Sequence, residues 1–115
     1  MTSSIRKVLV AAVALVLLAA CGHPTQDRTM TIALVDGRPA ILPTVVSVDK
    51  ENRVVMTVSN TTNAVHGFTI EGYSRSLVLE GGQTEELRFN AYRGGTFRIF
   101  CQLHPAHQTA TLVVR

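Results

Sequence analysis

The residues best suited to chemistry lie close to the C-terminus, in the segment Ile99-Phe100-Cys101-Gln102-Leu103-His104-Pro105-Ala106-His107. One thiol and two imidazoles fall within seven positions, at the end of an apolar, alternating stretch. A third histidine, His66, stands 35 residues before Cys101 in another strand-like stretch. A soft thiolate with several imidazoles is a ligand set for copper, whereas Mg²⁺ and Ca²⁺ take hard oxygen ligands. Zinc accepts the same atoms, but structural zinc sites use paired cysteines, which this chain lacks. Cu²⁺ and Zn²⁺ are neighbours in affinity order, so ligand chemistry alone leaves both open. The chain shows no pair of carboxylates placed for acid–base work, no Ser/His/Asp arrangement and no glycine-rich phosphate cradle.

The elements that must hold these side chains read as short strands punctuated by turns. The expected strands are Met30–Val35, Ile41–Val48, Arg53–Ser59, Val65–Ile70, Ser76–Leu79, Thr84–Phe89, Thr96–Cys101 and Thr109–Val114. Pro43 inside the second segment predicts an edge position, because proline cannot donate to a ladder. Asp49–Asn52, Asn60–Asn63, Glu71-Gly72, Gly81-Gly82 and Arg93–Gly95 read as turns. In the stretch from Val65 to Ile70, His66 shares a face with Phe68 and Ile70, while Phe97, Ile99 and Cys101 share one face of a later strand. Seven or eight strands at spacings of about 8–12 residues, without an amphipathic helix, predict an all-β Greek-key sandwich. In that topology non-neighbouring strands end beside each other. His66 and Cys101 are therefore expected at one pole, capped by the loop Gln102–Gln108.

The N-terminal residues predict a compartment. Arg6 and Lys7 precede thirteen unbroken apolar residues, Val8–Ala20. A helix of that length reaches about 20 Å, short of a bilayer core of roughly 30 Å, so it reads as a signal-peptide core. Leu18-Ala19-Ala20-Cys21 resembles the lipobox of bacterial lipoproteins. The expected division is a signal peptide at 1–20, a lipidated Cys21 with a tether to Arg28, and one domain at 29–115. Two acyl chains give a stable anchor where one is marginal, which predicts an extracytoplasmic chain held on the membrane by Cys21. Cys101 is then a lone thiol exposed to oxidation, and metal ligation gives it a role and protection. The net charge of +3 includes Arg6 and Lys7; without them nine basic residues face eight acidic ones. No basic run is present, so nucleic acid is not an expected partner.

The segments His66-Gly67-Phe68-Thr69-Ile70, Glu80-Gly81-Gly82-Gln83-Thr84 and Gly95-Thr96-Phe97 leading into Cys101-Gln102-Leu103-His104-Pro105 together resemble cupredoxins over roughly residues 40–115. The resemblance is strongest to nitrosocyanin and to the cupredoxin domains of periplasmic iron-uptake lipoproteins. It is more distant to the binuclear copper domain of cytochrome oxidase subunit II, whose site uses two cysteines. With Cys101 alone available, the resemblance implies a mononuclear copper site held by Cys101, His104 and His66. Nitrosocyanin carries glutamate where this chain has His66. It also places its second loop histidine farther along, whereas here the loop is shorter and His107 follows His104 by three. His107 is thus either a fourth ligand, favouring a red or green centre over a blue one, or an exposed loop histidine. No methionine follows Cys101, and Met30 and Met56 are expected in the core.

The resemblance implies one-electron transfer. Leu103, Pro105 and Ala106 would give His104 an apolar surround on which a redox partner protein docks. Three alternatives compete: copper binding for delivery, storage or protection, chemistry at copper on a small molecule such as nitric oxide, and a metal-free interaction module that keeps only the shape. The scarcity of methionine argues against Cu(I) delivery. The small-molecule reading needs an open coordination position.

Overall fold

A computed structural model describes residues 24–115. Nine strands are present among them: β1 Thr25–Val35, β2 Arg38–Leu42, β3 Val45–Val48, β4 Arg53–Asn60, β5 His66–Ile70, β6 Arg75–Leu79, β7 Thr84–Asn90, β8 Gly95–Phe100 and β9 Ala110–Val114. They form two sheets, one in the order β2-β1-β4-β7 and the other β3-β9-β8-β5-β6. No helix occurs among the described residues. Each sheet is mixed, with β1–β4 parallel in one and β3–β9 parallel in the other.

Period-two alternation supplies the core. Val54, Met56 and Val58 of β4 point inward, as do Leu87 and Phe89 of β7. From the second sheet come Phe68 and Ile70 of β5, Ile99 of β8 and Leu112 and Val114 of β9. Met30 and Met56 are fully buried in this core. Residues alternating in and out along a strand bury one face and wet the other, which is why every second residue here is apolar.

The strand count exceeds the expected seven or eight for a physical reason. The segment from Ile41 to Val48 is not one strand. It breaks at Pro43, which has no N–H to give a ladder. Its first part joins β2, at the edge of one sheet, and its second joins β3, at the edge of the other. Asp36-Gly37 closes a tight hairpin between β1 and β2, with φ of 53° and 76°. Two consecutive positive φ values are what a type I′ turn requires, and Asp-Gly is a preferred pair for it.

The residues expected to form a tether are partly strand. β1 begins at Thr25, four residues before the expected domain start, and Thr25–Arg28 pair with Arg53–Met56. Polar side chains fasten this stretch to the opposite sheet. Arg28 Nε donates to the Ser47 carbonyl at 2.8 Å, and Gln26 Nε2 donates to Asp49 Oδ2 at 3.0 Å. The apolar run Val8–Ala20, Cys21 with its expected lipidation, and His23 lie outside the described residues.

Candidate metal centre

β5 and β8 run antiparallel, but their ladder holds only two pairs, Thr69↔Phe100 and Ile70↔Ile99. Beyond Phe100 the chain leaves the sheet, and Cys101 comes to lie beside the start of β5. The Gly67 amide donates to Cys101 Sγ at 3.2 Å. The thiol is buried, 4% exposed, and is the one free cysteine among the described residues.

The loop after Cys101 brings the next two candidates to the same side. His104 N donates to the Cys101 carbonyl at 3.2 Å, and His107 N donates to the His104 carbonyl at 3.0 Å. Successive i→i+3 bonds place side chains at i, i+3 and i+6 above one another. The Cys-x-x-His-x-x-His spacing therefore stacks Cys101, His104 and His107 along one edge of the loop. Their rings confirm it: His104 and His107 lie 4.6 Å apart between centroids at 25°.

His66 completes the group from the other side. It opens β5 and is 3% exposed, sharing the inward face with Phe68 and Ile70. Its ring centroid is 5.8 Å from that of His104 and 5.4 Å from that of His107. One potential ligand atom from each of His66, Cys101, His104 and His107 lies within 4.8 Å of the others. All four sequence-predicted residues meet at one pole.

The donor chemistry fits a metal ion. His66 Nδ1 and His107 Nδ1 are buried without a hydrogen-bond partner, and a buried nitrogen lone pair without a partner is costly unless something binds it. Burial, then the neighbouring His107 and His104, hold His66 below the ordinary histidine range. Burial and His104 do the same for His107. Both shifts favour the neutral imidazole, the form that ligates metal. Cysteine thiolate plus imidazole suits copper, and the four residues fit a single copper site. His104 differs from the other three in being exposed, and Leu103, Pro105 and Ala106 beside it are exposed as well.

Three positioning residues escape a reading of residue types. Asn60, in a segment expected to be a polar turn, is 1% exposed. Its Nδ2 donates to the carbonyls of Ala64, Leu79 and Glu80 at 2.8, 3.1 and 3.2 Å. Its Oδ1 accepts from the Thr62 amide at 3.0 Å and the Thr62 hydroxyl at 2.7 Å. This one amide fixes the loop that delivers His66. Gln102 stretches across Gly67: its Oε1 accepts from the Thr69 hydroxyl at 2.7 Å, and its Nε2 donates to the Leu77 carbonyl at 3.0 Å. That bracing clamps the first residue of the ligand loop to β5 and β6. A side chain at position 67 would put its Cβ 2.2 Å from Gln102 Oε1, so glycine is required for the clamp. At the far end of the loop, Gln108 bridges to Ala40 of β2.

Residues 8–114 match the sequence model of one family, described as the cupredoxin-like domain. No curated protein matches the chain by sequence. Among solved structures, auracyanin A, a blue copper protein from the green thermophilic photosynthetic bacterium Chloroflexus aurantiacus, superposes with a TM-score of 0.65 at 15% identity, over 80% of this chain and 100% of that one. The copper nitrite reductase of Nitrosomonas europaea gives 0.66 at 17% identity, over 79% of this chain and 41% of the enzyme. The blue copper oxidase of the same organism gives 0.64 at 18% identity, over 80% of this chain and 39% of the oxidase. At these identities the likeness is one of fold.

Proposed function

Because this chain belongs to the cupredoxin-like domain family, we propose that it is a one-electron carrier of the cell envelope, using one copper held by Cys101, His66, His104 and His107. The observation that carries the reading is the convergence of one buried sulfur and three imidazoles at a pole where His66 and Cys101 are buried, His107 is half-buried and His104 is exposed. Copper, when bound, supplies a couple between Cu(II) and Cu(I). The protein's part is to keep the ligand atoms still while the charge changes. Gln102, Asn60 and the Gly67 amide do this by fixing the loop, the approach to His66 and the sulfur. The Gly67 N–H stabilises negative charge on Sγ, as a charge-assisted donor does.

The exposed edge of His104, with Leu103 45% exposed beside it and Pro105 and Ala106 around it, is the exit for the electron. These exposed residues offer a docking surface for a weak, transient redox partner. The sequence resembles the nitrosocyanin and iron-uptake types, and a fourth ligand at His107 favours a red or green centre over a blue one. Val8–Ala20 ending in Cys21 supports a lipid-anchored, extracytoplasmic location.

Voltammetry of the copper-loaded full chain tests the function. A reversible one-electron wave supports electron transfer. An irreversible response, with fast loss of copper to a chelator, contradicts it and favours delivery.

A further inference from the structure

Three arginines separated in sequence meet at the other end of the sandwich. Arg53 opens β4, Arg75 opens β6, and Arg88 lies in β7 opposite Val55. They line one cleft of about 320 Å³, with Thr25, Phe89 and Asn90 among its other walls and no carboxylate in its lining. Arg75 Nε donates to the Arg88 carbonyl at 3.1 Å, which holds its guanidinium across the gap between the two sheets. Glu86 takes one nitrogen of Arg88 at 2.9 Å, and Glu51 shares a neighbouring hollow with Arg53. Arg53 has no carboxylate partner within salt-bridge distance among the described residues.

The register places this cleft far from the metal pole. β4 runs from Arg53 to Asn60, the residue that braces the approach to His66. β6 runs from Arg75, opposite Ile70, to Leu79, opposite His66. The N-terminal segment, in contrast, arrives at the cleft itself, because Thr25 is both the first residue of β1 and part of the cleft wall. Only Cys21–Pro24 separate Thr25 from the last residue of the apolar run, Ala20. Five extended steps reach at most about 18 Å. Whatever holds that run or Cys21 in a bilayer brings the arginines to the headgroup layer.

We propose that the Arg53–Arg75–Arg88 cleft binds the phosphate of an anionic phospholipid headgroup, seating the anchored domain with its arginine end down and the His104 edge facing away from the bilayer. Guanidinium forks match phosphate oxygens in geometry and charge. Each basic residue near an anionic surface is worth about a fivefold shift, so three shift the docked population roughly a hundredfold. The proposal rests on the membrane-anchored reading, and the test separates the two.

The full chain is placed in nanodiscs of phosphatidylcholine alone or with one part in three phosphatidylglycerol, and the arginine Nε–H signals are followed by NMR. The expected result is that the chain stays with both discs, while Arg53, Arg75 and Arg88 shift only with phosphatidylglycerol. The shift is reversed by molar salt and absent from an Arg53→Gln/Arg75→Gln/Arg88→Gln variant that keeps its copper spectrum. A chain that stays with neutral discs but shows no phosphatidylglycerol effect overturns the cleft and leaves the anchor standing. A chain that leaves neutral discs overturns the anchor and the proposal with it. Equal shifts from millimolar inorganic phosphate on neutral discs assign the cleft to free phosphate and overturn the lipid.

Discussion

Replacing Gly67 by alanine tests the clamp on the ligand loop, because its effect reverses sign with the residue at position 102. The three atoms nearest an added Cβ all belong to Gln102, at 2.2, 2.5 and 2.9 Å. The Gln102 side chain must swing away, which breaks its bonds to Thr69 and Leu77. Two part-buried hydrogen bonds at about 1 kcal/mol each come to about 2 kcal/mol. Alanine recovers about 0.5 kcal/mol by restricting the unfolded chain, since position 67 is not in the left-handed region. Gly67→Ala alone is therefore expected to destabilise by about 1.5 kcal/mol, a fall in Tm of roughly 6–12 °C for a domain of this size. In a Gln102→Ala background the obstruction is gone, and the same substitution is expected to stabilise by about 0.5 kcal/mol. Urea denaturation of the four proteins of the cycle, without metal, measures the coupling directly. Effects of Gly67→Ala that are equal in the two backgrounds would refute the clamp.

Asn60→Ala removes the donor to the Leu79 carbonyl and the acceptor of the Thr62 amide and hydroxyl, and a loss of about 3 kcal/mol is expected from the same denaturation measurement; a loss under 1 kcal/mol contradicts its assigned role. The metal-free protein should also weaken in acid. His66 and His107 bind protons less readily when folded than when unfolded, so the unfolded chain takes up more protons as pH falls below about 6.5, and stability present at neutral pH is lost through that window. Calorimetry of the metal-free protein from pH 7.5 to 5 should show a falling Tm, and a Tm that rises over that range would contradict the neutral state of the two rings.

The strands that alternate cleanly, such as Arg53–Ser59 and Thr84–Phe89, were readable from sequence because one face is apolar and the other polar. The candidate site was readable because Cys101, His104 and His107 recur every three residues, and the loop keeps that period in space. Other features depend on partners far away along the chain. Asn60 looks like a turn residue until Leu79 and Glu80 bring their carbonyls to it. Gln102 looks like a solvated glutamine until β6 supplies Leu77. Thr25–Arg28 have tether composition, yet pairing with β4 and the bonds to Ser47 and Asp49 make them strand. The arginine cleft is invisible in sequence because its members stand 22 and 13 positions apart.

The most direct test of the central claim is the absorption spectrum of the full chain titrated with Cu(II), beside Cys101→Ser and His107→Ala. Saturation at one copper per chain is expected, with an intense thiolate charge-transfer band that vanishes in Cys101→Ser and moves in His107→Ala. Copper uptake without that band, or a band that survives in Cys101→Ser, would contradict a centre built on the buried sulfur.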